Sequence, residues 1–232
     1  MKISPEKLDE LIKIVHLAGI EIIKIYKKKV TKKYKSDNTP VTNADIRAND
    51  IICKGLKLHF PEISIVSEEQ VKKGKAAKKF WLVDPLDGTK EFLKGNGEFT
   101  VNIGLIENKK PVFGIIYMPT KNKLYFTKDK KSYFSKLSKK GQLSNIRKIK
   151  VKKRNKNIVI LSRSHSLAKS EIEKAKKMIF QRFNADKIIR SGSSIKLCYI
   201  AHGIANVYPR FGTTMEWDTA AGDAILLSLI HI

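Results

Sequence analysis

The residues best suited to chemistry are two aspartates that follow an apolar run in the first half of the chain. Residues 81–83 are Trp-Leu-Val, which predicts a buried strand, and Pro85 cannot donate to a strand ladder, so we expect that strand to end at Asp84. Asp84 and Asp87 can direct their carboxylates at one point across the following turn. Two close carboxylates repel each other unless a proton or a cation lies between them, and a hard divalent cation such as Mg²⁺ prefers oxygen ligands.

Gly88 and Thr89 come directly after these aspartates, and their backbone N–H groups can face an anion. A metal ion beside an anion site would suit phosphate chemistry. The competing interpretation is a plain Asp-Gly turn between sheet elements. On residues 84–89 alone, the two interpretations have equal weight.

Four further carboxylates are candidates for the same site. Asp45 matches the third helical position of a capping box, which is its structural interpretation. Glu68 and Glu69 end a predicted strand over 63–67, and adjacent strand residues point to opposite faces, so only one of them should share the site and the sequence does not say which. Asp218 opens a predicted helix, where an acid complements the helix dipole. Carboxylates that come from strand ends and helix starts are typical of an open two-metal site.

Other phosphate-handling designs are excluded by their spacing. A cysteine phosphatase needs an arginine six residues after its cysteine, and His59 and Ile204 occupy those positions after Cys53 and Cys198. Residues 74–76 are Gly-Lys-Ala and lack the Ser or Thr of a P-loop. The two cysteines imply no disulfide framework, and a reducing cytoplasm is the expected location.

The composition is strongly basic, with a formal net charge of +25 over 232 residues. A polyanion partner, such as nucleic acid or an anionic membrane, is one interpretation. Diffuse lysine enrichment on solvated faces is the one we favour, because the lysines are scattered along the whole chain. No stretch approaches the roughly 20 consecutive apolar residues of a membrane span, and no signal peptide is recognisable.

The hydrophobic pattern predicts helices, then a meander, then alternating strands and helices, which together indicate stacked α and β layers. We expect one compact unit with an N-terminal α+β part over 1–135, containing the metal site and the meander, and a C-terminal α/β part over 136–232 that completes the site. Residues 136–156 are basic and weakly patterned. The expected helices run from Ser4 to about Lys28, from the capping box at 42–45 through Leu56, and over 168–180, 194–202 and 217–229. An antiparallel meander is expected over 99–134, and strands at 158–161, 187–189 and 205–208.

Three segments together, 68–69, 84–89 and 217–222, resemble the two signatures of the inositol monophosphatase superfamily of Mg²⁺-dependent, lithium-sensitive phosphatases. Within it, residues 90–92, 96–102, 162–165, 192–196 and 208–210 are similar to the bacterial 3'(2'),5'-bisphosphate nucleotidases of the CysQ type. The resemblance runs from residue 36 to the last helix. It implies an α+β fold, a layered α-β-α-β-α sandwich of the inositol monophosphatase and sugar phosphatase type.

The resemblance also implies roles for individual residues. One Mg²⁺ would be bound by Glu68, Asp84 and the Leu86 carbonyl, and a second by Asp84, Asp87 and Asp218. Asp45 and Thr89 would position or deprotonate the attacking water, and Asp45 would hold any third, looser ion through water. The scissile phosphate would bind to the N–H groups of Gly88 and Thr89, with the metal ligands Glu68, Leu86, Asp87 and Asp218 also bordering the substrate, and the nucleotide would contact His165, Ser193, Lys196 and Arg210.

The implied activity is Mg²⁺-dependent hydrolysis of the 3'-phosphate of 3'-phosphoadenosine 5'-phosphate to AMP and phosphate, which recycles a by-product of sulfate assimilation. The alternatives are an inositol-1-phosphate-type phosphatase and an inactive remnant that binds nucleotide or nucleic acid by charge. The implied partner is a small nucleotide bisphosphate, with no specific nucleic acid, no obligate protein partner, and at most peripheral association with the cytoplasmic face of the inner membrane. The family pattern continues with a further strand and helix, whereas this chain stops at Ile232.

Overall fold

The computed structural model describes residues 3–28, 32–34, 40–70, 77–150, 156–163, 177–210 and 213–229. It begins with helix α1 (Pro5–Tyr26), where the Ser4 hydroxyl accepts the Lys7 N–H at 3.3 Å. A short antiparallel ribbon of β1 (Lys32–Tyr34) and β2 (Pro40–Thr42) leads into helix α2 (Asn43–His59). Both predicted N-terminal helices are confirmed.

The central element is a seven-stranded sheet in the order β3 to β9. Strand β3 pairs parallel with β4, and every later pair is antiparallel, which confirms the predicted meander. Its two faces pack against different helices, because Trp81 and Val83 of β4 join the core formed by α1 and α2, whereas Leu82 packs with Ala220 of the last helix. The strands are β3 (Ser64–Ser67), β4 (Lys79–Asp87), β5 (Thr100–Glu107), β6 (Lys110–Met118), β7 (Lys123–Lys128), β8 (Lys131–Leu137) and β9 (Leu143–Lys148).

Strand β4 does not end at Asp84, as the proline had suggested, but continues to Asp87. Asp84 pairs with Asn102 and Asp87 pairs with Thr100, so the register shifts between the two aspartates. Pro85 lies in this irregularity, where the ladder needs no N–H donor. The prediction was wrong because a bulge lets the strand pass a residue that would end a regular one.

The remaining described elements form smaller layers. Strands β10 (Ile158–Ser162) and β11 (Lys187–Ser191) pair in parallel, and the helical residues 177–183, here α4, contact them through Ile179. Helix α3 (Thr89–Leu93) follows β4, and helices α5 (Ile195–Ala201) and α6 (Glu216–Leu227) pack together beneath the large sheet. The layers are, in order, the helices α1 and α2, the seven-stranded sheet, the helices α5 and α6, the two-stranded sheet and helix α4. They form the layered α-β-α-β-α sandwich that we expected.

The structure differs from the local predictions in two regions of the second half of the chain. Residues 205–208 do not form a strand; Val207 makes a single bridge to Val159. The weakly patterned region 136–156 contains β9, which extends the large sheet, and β8 crosses the expected division at 135/136. The division into an N-terminal and a C-terminal part stays a prediction. Residues 168–176 of the predicted helix 168–180 lie outside the described residues, and the rest, 177–180, is helical.

Among the described residues, no helix has the length and apolar character that a membrane crossing requires. The two cysteines, Cys53 and Cys198, are both buried and unbridged.

Helix α6 approaches the sheet closely because both surfaces carry residues with little or no side chain. A Cβ built on Gly114 would lie 2.1 Å from the carbonyl oxygen of Ala221, and one on Gly104 would lie 3.1 Å from the Cβ of Ala220. On the other side of α6, a Cβ on Gly222 would lie 2.2 Å from the Leu197 side chain in α5. The small residues therefore determine how deeply α6 lies, and with it the position of Asp218 in its first turn.

The first prediction concerns this contact. Gly114→Ala should lower the free energy of unfolding by about 1–3 kcal/mol, because the added methyl meets backbone that cannot rotate away. Urea unfolding measures the change. Gly55→Ala is the matched control: the three atoms nearest to its Cβ would all belong to the Ile14 side chain, the nearest at 2.6 Å, rather than to backbone, and alanine favours the helix by about 1 kcal/mol. Equal stability of Gly114→Ala and the unmodified protein would contradict the close packing.

Candidate active site

Three carboxylates converge where β4 meets α6. One oxygen each from Asp84, Asp87 and Asp218 lies within 4.8 Å of the others, and Asp84 is buried. In a regular strand, residues three apart point to opposite faces. The shift in register between Asp84 and Asp87 inserts an extra residue into β4, so both carboxylates reach the same side.

Each carboxylate is oriented by a backbone N–H group. The Leu86 N–H donates to Asp84 Oδ1 at 3.1 Å, and the Ser194 N–H donates to Asp87 Oδ2. Asp218 Oδ2 accepts the Met215 N–H at 3.0 Å, and also the hydroxyl of Thr214 at 2.9 Å. The carboxylates therefore have fixed directions before any cation binds.

The pKa of Asp84 is raised well above its ordinary value. Burial is the main cause, and the nearby charges of Glu68, Asp87, Asp218 and Asp45 raise it further. Three acidic groups this close stabilise the protonated form of one another. A divalent cation would offset the repulsion between the ionised carboxylates, and an all-oxygen donor set suits a hard ion of the Mg²⁺ kind.

The pKa of Asp87 is raised to about 6, again mainly by burial. The positive charge of Lys196 opposes that rise, and so does the hydrogen bond from the Ser194 N–H, while Asp218 adds to it. Lys196 is itself buried, and its ammonium group donates to the Ser193 carbonyl. A fixed cation thus lies beside the acidic cluster.

Glu68 and Glu69 lie in a single 3₁₀ turn (Glu68–Gln70) that follows β3, so the alternation of a strand does not apply to them. The charge of Glu68 raises the pKa of Asp84, and the charge of Glu69 raises the pKa of Asp45. Both glutamates are therefore within electrostatic reach of the acidic residues. Among the described residues, the compact group consists of the three aspartates and does not include Glu68.

Asp45 caps α2 and also contacts Thr89 in the segment that follows Asp87. Its Oδ2 accepts the Thr42 N–H at 2.8 Å and caps α2, while its Oδ1 accepts the Thr89 hydroxyl at 3.1 Å. Burial raises the pKa of Asp45 to about 6, against the lowering effect of the Thr42 hydrogen bonds. The Thr89 hydroxyl also lies 3.2 Å from the Leu86 carbonyl oxygen, and with one proton it donates to one of these acceptors at a time.

Gly88 is needed at the turn between β4 and α3. Its φ of +93° lies in the left-handed region, and a Cβ there would be 2.9 Å from the Glu98 carbonyl oxygen. The same Cβ would be 3.1 Å from the Cβ of Ser193, so the chain before α5 packs directly on this turn. Glycine thus brings the Asp87–Thr89 segment and Ser193 together.

The predicted nucleotide contacts divide into two groups. Ser193 and Lys196 lie beside the acidic cluster, and the Lys196 ammonium also lies 5.3 Å from the ring centre of Tyr208. Arg210 donates to the Tyr208 hydroxyl at 3.1 Å and to the Ser162 hydroxyl at 3.3 Å. Tyr208 therefore connects the two cations. His165 lies outside the described residues.

The structure adds polar residues at the site that the sequence analysis gave no role. The Ser194 hydroxyl donates to Asn102 Oδ1 at 2.8 Å and lies 2.8 Å from the Thr100 hydroxyl, and Asn102 Nδ2 is 3.5 Å from Asp87 Oδ2. All three residues are buried. The available signal was that Thr100 and Asn102 alternate with apolar residues in a strand that is otherwise apolar.

The sequence model of the inositol monophosphatase family matches residues 5–228. The chain belongs to the inositol monophosphatase family. A relative from Buchnera aphidicola subsp. Acyrthosiphon pisum, named 3'(2'),5'-bisphosphate nucleotidase CysQ, is 42% identical over 226 residues, covering 95% of this chain and 81% of the relative. The protein of the same name from Escherichia coli (strain K12) is 40% identical over 223 residues, covering 94% and 86%.

Solved structures show the same relationship. The crystal structure of CysQ from Bacteroides thetaiotaomicron, described as a bacterial member of the inositol monophosphatase family, matches with a TM-score of 0.75 and 38% identity. The match covers 95% of this chain and 85% of that chain. The inositol monophosphatase family is generally metal-dependent, and the three-aspartate cluster is an acidic group capable of binding metal.

The second prediction follows from the raised carboxylate pKa values. The folded protein keeps protons on Asp45 and Asp87 up to about pH 6, whereas the unfolded chain loses them near pH 4. Stability of the metal-free protein should therefore fall as pH rises from about 4 through 6 and stay lower above that. Millimolar Mg²⁺ should raise the thermal midpoint by several degrees at pH 7.5 and by much less at pH 5.

Asp84→Asn provides the control for this measurement. The amide keeps an oxygen to accept the Leu86 N–H but cannot ionise. The metal-free variant should be at least as stable as the unmodified protein at pH 7.5, and Mg²⁺ should no longer stabilise it. A midpoint that responds to Mg²⁺ equally in both proteins would contradict a metal site at Asp84.

Proposed function

We propose that this protein is a Mg²⁺-dependent 3'(2'),5'-bisphosphate nucleotidase, which hydrolyses the 3'-phosphate of 3'-phosphoadenosine 5'-phosphate to AMP and phosphate. The observation that carries the proposal is the convergence of Asp84, Asp87 and Asp218 beside the buried cation Lys196. Acids of this kind suit metal ions, and a cation next to them suits a second phosphate. Relatives at 40–42% identity are named for this activity.

The donor set fits two Mg²⁺ ions. Glu68, Asp84 and the Leu86 carbonyl would bind one, and Asp84, Asp87 and Asp218 would bind the other, with Asp45 available to any third ion. The pKa of Asp84, raised by burial and by its acidic neighbours, supports this assignment, because such a cluster is stabilised by positive charge. When bound, Mg²⁺ would acidify water and offset the negative charge of the phosphate.

Asp45 and Thr89 would act on the attacking water. The Thr89 hydroxyl lies within hydrogen-bond distance of Asp45 Oδ1, at 3.1 Å, and Thr42 anchors Asp45 through its other carboxylate oxygen. A carboxylate whose pKa is raised to about 6 is a better proton acceptor near neutral pH than an ordinary aspartate. The N–H groups of Gly88 and Thr89 would bind the phosphate that is cleaved.

Lys196 and Arg210 would bind the rest of the nucleotide, and Ser193 would line the same side. Lys196 lies near the ring of Tyr208 and Arg210 donates to its hydroxyl, so the two cations are close to one aromatic side chain. A planar guanidinium binds phosphate oxygens in bidentate fashion, which suits the phosphate that is not cleaved. An inositol monophosphate has no second phosphate, so it would leave one of these cations unused.

Sulfate assimilation supplies this substrate, and we place the protein in recycling of that nucleotide by-product. The two buried, unbridged cysteines support a reducing compartment, and the cytoplasm is the proposed location. A small nucleotide bisphosphate is the proposed partner. The excess of positive charge supports attraction of such an anion.

The third prediction tests the activity directly. Purified protein with Mg²⁺ should release phosphate from 3'-phosphoadenosine 5'-phosphate with a higher kcat/KM than from inositol 1-phosphate. Asp87→Asn should lower turnover at least ~10³-fold, because a metal ligand loses its charge, while the amide oxygen can still accept the Ser194 N–H and preserve the fold. Circular dichroism checks the fold.

Preference for inositol 1-phosphate would replace the proposed substrate with the inositol ester. Absence of phosphate release at any Mg²⁺ concentration, together with salt-sensitive DNA binding, would favour the remnant that binds by charge. Retained activity in Asp87→Asn would refute the metal assignment.

The fourth prediction concerns substrate choice. Arg210→Met should raise KM for the bisphosphate nucleotide about tenfold and change KM for inositol 1-phosphate by less than about twofold, because only the nucleotide has a second phosphate, which is not cleaved, for the guanidinium to bind. Arg47→Met, which removes a guanidinium paired with Glu21, is the matched control and should change neither KM. Equal effects of Arg210→Met on both substrates would contradict a nucleotide role for Arg210.

A further inference from the structure

A turn formed by residues 192–194 lies between the acidic cluster and the cation Lys196. On one side, the Ser194 N–H donates to Asp87 Oδ2. On the other side, the Ser193 carbonyl accepts from the Lys196 ammonium. Ser193 has a φ of +48°, in the left-handed region, so the turn depends on its surroundings to keep this shape.

Three residues at alternate positions in and just before β5 support this turn. Glu98 Oε2 accepts the Gly192 N–H at 2.7 Å. Thr100 and Asn102 both lie 2.8 Å from the Ser194 hydroxyl, measured from Thr100 Oγ1 and Asn102 Oδ1. Residues two apart in extended chain point to the same side, so side chains on one face of the chain from Glu98 to Asn102 contact the turn.

Glu98 is the member of this set that also carries an ion pair. Arg163 Nε donates to Glu98 Oε2 at 2.7 Å and Nη2 donates to Oε1 at 2.8 Å, which is the bidentate geometry of a strong charge-assisted pair. Arg163 Nη2 also donates to the Arg190 carbonyl at 2.9 Å, and the backbone N–H of Arg163 donates to the Ser191 carbonyl at 3.1 Å. The pair therefore joins the end of β10, the end of β11 and the turn.

The turn has little freedom to move in other directions. A Cβ on Gly192 would lie 2.4 Å from Glu91 Cγ and 2.9 Å from the Glu98 carbonyl oxygen. Gly192 is thus enclosed between α3 and the segment that contains Glu98. Loss of the Glu98 carboxylate would release the Gly192 N–H and Arg163 together, and leave this enclosed turn without its charged anchor.

We propose that Glu98 is a positioning residue for the metal site: through Arg163 and the Gly192 N–H it holds the 192–194 turn so that the Ser194 N–H orients Asp87. The inference rests on the proposed function, because Asp87 is a metal ligand only within it. Glu98 is not one of the proposed metal ligands or nucleotide contacts, and its carboxylate bonds to Arg163 and to the Gly192 N–H. Outer residues that orient metal ligands typically affect metal affinity about 10–100-fold when they are replaced.

The test is calorimetric titration of Mg²⁺ alone into purified protein, at a temperature well below unfolding. Glu98→Gln should weaken the Mg²⁺ affinity about tenfold, because the amide cannot sustain both the bidentate pair and the Gly192 hydrogen bond. Glu21→Gln is the matched control, since Glu21 forms another Arg–Glu pair with Arg47, at 2.9 Å, between α1 and α2. It should leave Mg²⁺ affinity within about twofold.

Arg163→Met provides a second route to the same result, because the arginine is exposed and its loss leaves Glu98 bonded to Gly192. We expect a smaller, severalfold loss of Mg²⁺ affinity, and no further loss when Arg163→Met is added to Glu98→Gln, because both act through one pair. In turnover assays, Glu98→Gln should raise the Mg²⁺ concentration for half-maximal rate and leave kcat at saturating Mg²⁺ within about threefold.

Unchanged Mg²⁺ affinity in Glu98→Gln, with a loss of thermal stability similar to that of Glu21→Gln, would overturn the inference and leave Glu98 a purely structural residue. Additive losses in the double variant would also overturn it. Failure of the unmodified protein to bind Mg²⁺ would overturn the proposed function, and this inference with it.

Discussion

The repulsion among Asp84, Asp87 and Asp218 is the constraint on which the rest of the site depends. Burial raises the pKa of Asp84 and Asp87, and each carboxylate adds to the cost of ionising its neighbours. The fold opposes this with backbone N–H donors from Leu86, Ser194 and Met215. These donors come from the bulge in β4, the turn before α5 and the start of α6. The acidic site therefore exists only when three separate parts of the chain are assembled, and it is complete electrostatically only with a cation.

The close packing of α6 on the large sheet is the second requirement. Asp218 reaches Asp84 and Asp87 because Gly104 and Gly114 leave space for the backbone of Ala221 and for Ala220. A larger side chain at either glycine would hold the helix away from the sheet and separate the carboxylates. The apolar core and the acidic site are therefore coupled through one helix: its small residues set the distance, and its first turn supplies the charge.

Sequence reasoning succeeded where a local signal determines the outcome. The Ser4 cap, the capping box at Asp45 and the meander all depend on neighbouring residues or short periodic patterns, and the acids were recognised by type and position. It failed at Pro85, because whether a proline ends a strand depends on the partner strand, which here tolerates a bulge. Strand β9 is short and polar, so its pairing with β8 decides its conformation. The contact between Asp87 and Ser194 joins residues 107 positions apart, and no local pattern in either segment indicates it.

The position of Lys196 connects the metal side of the site to the nucleotide side. Its charge opposes the rise in the pKa of Asp87. Its ammonium also donates to the Ser193 carbonyl and lies near the Tyr208 ring. Without a metal ion, Lys196 is the main positive charge acting on Asp87 among the described residues. A bound cation would offset the negative charge of the carboxylates and add its own positive potential to that of Lys196 at the position of an incoming phosphate. Metal binding and nucleotide binding would then favour each other electrostatically. The 192–194 turn is the piece of backbone that bonds to both Lys196 and Asp87 and so keeps them near each other.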